Sequence, residues 1–260
     1  MGHRPWQSHA AVAQSAAVLA VLLFFQDGAH AQGRGAQPPA TARAAAPVDL
    51  TGYWVAEITE DWRWRMVTPA KGDYQSIPVT PAAVKVADGW DPAKDEAAGE
   101  QCRSYGAPGL MRAPTRLNIT WEDDDTLKIQ TDYGMQTRLL HFGNWKSPGA
   151  PPAWQGDAIA RWETPPGRGA NPGARAGTLV VATSRLRPGY LRKNGVPYSA
   201  DTLMTEYWDL VGERNGEQRI LLLIVVEDPL YLQVPWIVPV HFKKEPNGAK
   251  WDPTPCSATW

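Results

Sequence analysis

The sequence predicts a mainly β protein in which antiparallel strands curl into a barrel, with one or two short helices. Three strand-like runs follow one another in the last third of the chain, at Leu203–Val211, Arg219–Val226 and Trp236–Lys244. Between them lie Asn215-Gly216 and Glu227-Asp228-Pro229, which are both turn signals. No helical period interrupts these runs, so we expect a meander that forms part of a barrel wall.

The amino terminus predicts export. An apolar run from Ala10 to Phe25 ends shortly before Ala29-His30-Ala31, the small-x-small pattern that signal peptidase accepts. We interpret residues 1–31 as a signal peptide, residues 32–48 as a flexible Ala/Pro-rich lead and residues 49–260 as a single β-barrel domain. The apolar run is too short for a membrane anchor, which predicts a periplasmic or secreted protein with no stable membrane insertion after signal removal.

The domain is predicted to open with a long strand over Asp49–Val67. Its alternate positions form an apolar face that also includes Glu60, and the opposite face is charged, as expected for a strand with one solvated side. A run of this length has to bend to follow a barrel, so the alternation is expected to shift after Ile58. The apolar face consists of Trp54, Ala56, Ile58, Trp62, Trp64 and Met66.

Helix is expected mainly within Pro81–Cys102, where a proline suits a helix start and helix-forming residues follow. Next, Arg116–Trp121 and Thr126–Thr131 alternate apolar and polar residues around a four-residue acidic turn, which predicts a hairpin. A third strand is expected over Met135–Phe142. The predicted core includes Trp54, Ile119, Ile129, Leu179, Trp208 and Leu222.

The chain has 2 cysteines, Cys102 and Cys256. In an exported protein an isolated pair predicts a disulfide, here between a mid-chain loop and the carboxyl terminus.

Composition excludes several classes of function. Of 5 histidines, three lie in the predicted signal, which leaves His141 and His241 and is too few for a multi-histidine zinc site. We find no nucleophile elbow, HExxH motif or phosphate loop, and predict no metal and no cofactor. The net charge of −1 is evenly distributed, so nucleic acid is not an expected partner.

Two resemblances bear on the fold. Gly52-x-Trp54 at the start of the first strand resembles the lipocalin signature. A longer pattern resembles a large family of exported bacterial proteins of uncharacterised function, which implies a lipocalin-like β-barrel but no particular reaction. Histidines that are frequent in that family are replaced here by Asp157, Tyr198 and Met204. The pattern consists of Trp154-x-Gly156, Ala160-Arg161-Trp162-Glu163, Gly177-Thr178-Leu179-Val180-Val181, Thr205-Glu206 and Glu227-Asp228-Pro229-x-Tyr231.

Glu206 is the first candidate catalytic residue because it shares a strand face with Met204 and Trp208. Burial raises the pKa of a carboxylate among apolar neighbours, which suits acid/base chemistry. The alternative is a structural ion pair with an interior arginine such as Arg161 or Arg185. Glu60 and His141 are further candidates, for which structural roles are equally open.

The segment Arg185–Tyr198 combines four basic residues with two tyrosines between predicted strands. It is interpreted either as a lid over an anionic or aromatic ligand or as an ordinary solvated connection. The predicted ligand-binding residues are Trp62, Trp64, Arg161, Arg185, Arg187, Tyr190, Tyr207, Trp208, Asp228, Tyr231 and Trp236. Several have plain structural alternatives; Asp228 before a proline, for example, suits a turn.

Two classes of function follow from these observations. The first is an exported barrel that binds a hydrophobic or aromatic small molecule in its interior. The second is a small-molecule enzyme, an isomerase, lyase or hydrolase, that uses an interior carboxylate as proton carrier. The two differ in the polar groups that they require around the cavity, and the sequence does not identify the ligand.

Overall fold

The computed structural model describes residues 40–165 and 176–259. The predicted signal peptide and the first part of the predicted lead lie outside these residues.

The predicted fold class is confirmed: within the described residues, strands close into a barrel in the order β1-β11-β10-β9-β6-β5-β4-β3-β2. Neighbouring strands are antiparallel except β4 and β5, which are parallel. A separate two-stranded hairpin, β7–β8, lies in the connection from β6 to β9. The strands are β1 Gly52–Glu57, β2 Arg116–Trp121, β3 Thr126–Thr131, β4 Thr137–His141, β5 Asp157–Glu163, β6 Thr178–Ser184, β7 Gly189–Arg192, β8 Val196–Tyr198, β9 Leu203–Gly212, β10 Gln218–Glu227 and β11 Trp236–Glu245.

The helices are short and lie in the connections, as predicted for residues 81–102. At the start of the helix Pro81–Asp88 the Thr80 side chain accepts a hydrogen bond from the Ala83 N–H, and before the helix Pro92–Ala97 the Asp91 side chain does the same for the Ala93 N–H. Both helices have proline in the first turn, where its missing N–H costs no hydrogen bond. The helices are α1 Ala42–Ala45, α2 Trp62–Arg65, α3 Pro81–Asp88, α4 Pro92–Ala97 and α5 Ala107–Leu110, with a 3-10 helix at Gln101–Tyr105.

The prediction of one strand over Asp49–Val67 is wrong. Strand β1 ends at Glu57, and Asp61, with φ of 52°, turns the chain into the single helical turn α2. The alternation therefore changes to a helical period, which exposes Trp62 and buries Arg65. The alternation of residues 58–66 is compatible with a strand, but in the structure this segment leaves the barrel wall and forms the helical turn α2.

The barrel interior is filled by side chains. All six predicted core residues are buried, and along β9 the residues Met204, Glu206 and Trp208 point inward as their alternation predicts. Cross-strand neighbours on β10 and β11 supply further branched and aromatic groups to the same interior. The apolar packing leaves Glu206 among the few charged groups inside the barrel wall.

One end of the barrel is covered by long connections, and we call this assembly the cap. It lies where β1 and β10 finish and β2 and β9 begin, and consists of residues 58–115, residues 185–202 and the carboxyl-terminal segment 246–259. The predicted disulfide between Cys102 and Cys256 is present and joins two of these parts.

The amino-terminal segment contacts the opposite end of the barrel. The Trp162 indole donates to the Ala42 carbonyl over 3.0 Å, and the Ala42 N–H donates to Asp125 over 2.7 Å. Residues 40–48, which belong to the predicted flexible lead, are therefore packed on the barrel. Among the described residues, no helix is long and apolar enough to cross a membrane.

Candidate functional site

The first candidate, Glu206, forms an ion pair inside the barrel. Arg138 on β4 donates to both carboxylate oxygens, over 2.8 Å and 2.6 Å, and to the Thr183 hydroxyl over 3.3 Å. Glu206 is 0% exposed and Arg138 is 1% exposed. The predicted inward orientation is confirmed, but the partner is neither Arg161 nor Arg185. This two-point geometry favours the structural alternative, and a proton-carrier role stays a prediction.

Glu60 and His141 lie in other places. Glu60 follows β1 near the cap, where it pairs with Arg65, accepts from the Thr59 hydroxyl over 2.5 Å and lies 3.4 Å from His241 Nδ1. His141 ends β4 on the other side of the barrel. The three candidate acid/base residues do not form one cluster.

His141 stacks on Trp145, with ring centroids 4.1 Å apart, and its Nδ1 lies 3.4 Å from the Thr126 hydroxyl. Burial lowers the pKa of His141, although Asp123 and Asp157 act in the opposite direction. These contacts describe a packed residue at the barrel rim.

The segment 185–198 is not an exposed lid. Its central part forms the β7–β8 hairpin, in which every residue from Gly189 to Tyr198 is buried. Tyr190 packs under the Arg103 guanidinium, which lies 4.6 Å from the ring centroid. Arg187 is half-exposed, pairs with Glu100 and covers the Trp154 ring. The hairpin is a packed part of the cap.

Asp228 organises the turn after β10. Its carboxylate accepts hydrogen bonds from the Ser199 and Tyr231 N–H groups over 2.5 Å and 2.8 Å and from the Thr202 hydroxyl over 2.6 Å. Burial opposes ionisation of Asp228, but these hydrogen bonds outweigh it and hold its pKa below the usual value. The structure therefore supports the turn interpretation.

The remaining predicted ligand-binding residues are dispersed. Trp208 lies in the barrel core, Trp62 is exposed in α2, and Arg185 pairs with Asp157 over 3.0 Å. On the outer face of the barrel lie Arg161, which pairs with Glu163, and Tyr207. Tyr231 lines a different surface cleft beside β7 and β8, and Trp64 belongs to the cap. Trp236 begins β11, and its indole donates to the carbonyl of Ser76 in the cap.

A cavity inside the cap brings together cationic and aromatic side chains. Its unfilled space is about 410 Å³, part of it open to solvent, and water-sized molecules can centre in about 30 Å³ of it. That volume has room for roughly two or three waters. The lining comprises Trp64, Arg65, Ser104, Tyr105, Gly109, Leu110, Arg112, Ala113, Tyr133, Leu191, Arg192 and Lys193. We call it the cap cavity.

Arg65 and Arg112 are the most deeply buried cations of the cap cavity, with 2% and 6% of their surface exposed. Arg65 pairs with Glu60 and donates through Nε to the Arg112 carbonyl over 2.8 Å, and Arg112 donates to Asp61 over 2.8 Å. One nitrogen of each guanidinium, Arg65 Nη2 and Arg112 Nη1, is buried without a hydrogen-bond partner among residues 40–165 and 176–259. Buried N–H donors of this kind are costly unless a ligand or solvent accepts from them.

These charges affect one another. Burial, together with the neighbouring charge of Arg112, lowers the pKa of Arg65 to about 10, although Glu60 acts in the opposite direction. Burial and Arg112 likewise lower the pKa of Arg192 to about 10. Burial is the largest cause of both shifts and the charge of Arg112 adds to it, so a bound anion would favour the charged form of both groups.

Arg192 and Lys193 come from the end of β7. The Arg192 guanidinium donates to the carbonyls of Asp73 and Gln75 over 3.3 Å and 3.0 Å and to the Ser76 hydroxyl over 3.0 Å. Within the described part of the chain, it therefore donates to neutral oxygens only. Lys193 donates to the Tyr105 hydroxyl over 2.8 Å, to the Tyr133 hydroxyl, and to the Thr259 carbonyl over 3.2 Å.

Sequence reasoning identified Trp64 and the basic segment around Arg192 and Lys193, but missed the arginines opposite them. The strand alternation over Asp49–Val67 predicts a solvated position for Arg65. The helical turn α2 instead directs its side chain into the cap. Arg112 stands in an irregular segment with no periodicity to indicate burial. No group of three or more potential metal ligands occurs among the described residues.

Comparisons of the chain with protein-family models, with curated proteins and with solved structures give no match.

Proposed function

We propose that the protein is an exported β-barrel that binds a small anionic molecule, with its carboxylate or phosphate group in the cap cavity. The observation that carries the proposal is that one buried guanidinium nitrogen of Arg65 and one of Arg112, both residues lining this cavity, have no hydrogen-bond partner in the part of the chain that the structure describes. Guanidinium groups bind carboxylates and phosphates through short, charge-assisted hydrogen bonds.

The charge balance around the cap cavity supports an anionic ligand. Arg65 and Arg112 each have one carboxylate partner, Glu60 and Asp61, whereas Arg192 donates to neutral oxygens among the described residues. Three guanidinium groups therefore share two carboxylates. An anion would neutralise the remaining charge, and the burial of these side chains makes electrostatic attraction stronger than it is in water.

The size of the cavity limits the ligand. The space in which water-sized molecules can centre suits one charged group and a few more atoms, so a large flat ring would extend beyond it. The sequence suggests an aromatic ligand. Such a ligand would be held by its anionic group, and Trp64 and Tyr105 would cover only part of its ring. This places the proposed binding in the cap, whereas the sequence led us to expect it among the core residues of the barrel.

Binding is favoured over the alternative of an enzyme with an interior carboxylate. Both candidate carboxylates have arginine partners, Arg138 for Glu206 and Arg65 for Glu60. Both oxygens of each carboxylate are already engaged in hydrogen bonds, so neither group is placed to contact a substrate.

The proposal is tested by calorimetric titration of the purified chain with acetate, benzoate and inorganic phosphate, at constant ionic strength. Acetamide and benzamide, which have similar shapes but no charge, are the matched neutral ligands. We expect heat from at least one anion and none from the amides. Similar heats for acids and amides would contradict an anion site.

Variants locate the site. Arg192→Gln removes a cavity charge without leaving a carboxylate unpaired and should raise the Kd of the bound anion by about tenfold or more, the value of a charged hydrogen bond. Arg63→Gln is the control, because Arg63 is half-exposed beside Trp64 and pairs outward with Asp73. Thermal melting establishes that each variant is folded. Equal affinities of the wild type and Arg192→Gln would exclude the cap cavity.

A further inference from the structure

We propose that the cap cavity takes small 2-oxo acids and that Lys193 forms an imine with their carbonyl carbon. The inference rests on the proposed anion binding, which it narrows to one substrate class, and adds a covalent step. It is carried by the placement of an amine, two phenol hydroxyls and guanidinium groups around one small cavity.

The amine is suited to nucleophilic attack. Lys193 is 6% exposed, and its Nζ lies above the rings of Tyr105 and Tyr133, 4.6 Å and 4.7 Å from their centroids. Burial lowers the pKa of Lys193 to about 7. A lysine attacks a carbonyl only in its uncharged form, and desolvation is a known way to populate that form near neutral pH.

The two phenols are suited to proton transfer. Burial raises the pKa of both Tyr105 and Tyr133, so each keeps its proton at neutral pH. Each hydroxyl lies within hydrogen-bond distance of Lys193 Nζ. A phenol there can donate to a developing alkoxide and accept a proton from nitrogen in return.

The step balances without any further reactant. The Nζ lone pair attacks the carbonyl carbon, the carbonyl oxygen takes a proton from a phenol, and nitrogen returns a proton to the phenolate, which gives a carbinolamine. The carbinolamine then loses its hydroxyl group with one proton as water, and a carbon–nitrogen double bond forms. The sum is amine plus ketone giving imine plus water.

The substrate class follows from the groups that line the cap cavity, an amine and guanidinium groups. A 2-oxo acid carries its carboxylate on the carbon next to the carbonyl, so it presents a partner for each within one small molecule. The carboxylate is assigned to Arg65 Nη2 and Arg112 Nη1, which are free to donate among the described residues, and the carbonyl to Lys193.

The test uses pyruvate as probe and sodium cyanoborohydride to reduce any imine to a stable secondary amine. Intact-mass analysis counts the adducts, and peptide mapping locates them on the wild-type chain. We expect Lys193 to be labelled about tenfold more than any other lysine, because a lysine of ordinary pKa is almost entirely charged at neutral pH. Lactate has a carboxylate but no ketone, so it should compete with pyruvate and reduce labelling of Lys193. Acetone has a ketone but no carboxylate, so it should label Lys193 weakly.

Two variants distinguish the possible outcomes. Lys193→Arg should abolish the selective adduct, with Lys193→Met in its place if the first variant is unfolded. Lys244→Arg is the matched control: Lys244 is also partly buried with a lowered pKa but lies outside the cap. Anion binding without selective labelling of Lys193 would overturn the imine and leave the anion site intact. No binding of pyruvate or lactate, while acetate, benzoate or phosphate binds, would overturn the 2-oxo acid assignment alone. No binding of any of these anions would overturn both proposals.

Discussion

At the residue scale, the Glu206–Arg138 pair places two opposite charges in an otherwise apolar barrel interior. Removing both ions from water costs several kcal/mol each, and only a close, two-point contact compensates for that. Thr183 adds a further acceptor for Arg138. The pair is thus strongly interdependent, since either charge alone would be buried without its partner.

We predict that Glu206→Gln lowers the free energy of unfolding by about 3 kcal/mol, because Arg138 would remain charged and buried without a counter-ion. Chemical denaturation measures the change. The control is Glu163→Gln, which breaks the exposed Arg161–Glu163 pair on the outer face and should cost less than about 1 kcal/mol. An equal loss of stability in both variants would show that the interior pair contributes no more to stability than an exposed pair. A Glu206→Gln variant that is as stable as the wild type but loses turnover of a substrate would instead restore the proton-carrier hypothesis.

At the element scale, the β7–β8 hairpin packs into the cap through its tip. Gly195 has φ of 81°, and a Cβ added there would lie 2.2 Å from Trp90 Cβ, so the tip fits directly against the residue that follows α3. The neighbouring Asn194 side chain donates to the carbonyls of Ala70 and Asp73. These contacts hold the end of β7, which carries Arg192 and Lys193, against the cavity.

We predict that Tyr190→Ala destabilises the protein by about 3 kcal/mol, because it removes a large buried ring and leaves a cavity beneath Arg103. Arg187→Ala, two residues before the hairpin begins at Gly189, should change stability by less than about 1 kcal/mol, because its side chain is half-exposed. Thermal melting of the two variants gives the comparison. Equal and small shifts would indicate that the segment is a loose lid after all.

The strand elements could be predicted from sequence and the cap could not, for a physical reason. Strands β2, β3 and β9 to β11 alternate apolar and polar residues, and this pattern directly reports which side chains meet the interior. The cap is built from irregular segments whose burial depends on what covers them. The sequence therefore gives no sign that three charged residues of the cap are buried, whereas the fold encloses Arg65, Arg112 and Lys193.

At the scale of the whole molecule, the disulfide links the carboxyl terminus to the wall of the cap cavity. Cys102 lies in the 3-10 helix that also carries Ser104 and Tyr105, and Cys256 adjoins Ser257, whose N–H donates to the Tyr105 hydroxyl over 3.1 Å. Two residues further on, the Thr259 carbonyl accepts from Lys193. The last residues of the described chain thus depend on the disulfide for their position beside the cavity.

We predict that the double variant Cys102→Ser, Cys256→Ser loses up to about 5 kcal/mol of stability in the chain-entropy model, since the bond spans 154 residues of sequence. Hydrogen exchange should locate the change: amides of residues 251–259 and of the 3-10 helix should exchange faster, while those of β10 and β11 keep their protection. The barrel core is closed by strand pairing that does not involve either cysteine, which is why the effect should be confined to the cap at temperatures well below melting. Chemical reduction of the wild type should reproduce the exchange pattern of the variant, and this agreement separates loss of the bond from any effect of the serines. Unchanged exchange at residues 251–259 would mean that the other contacts of this segment hold it in place without the disulfide.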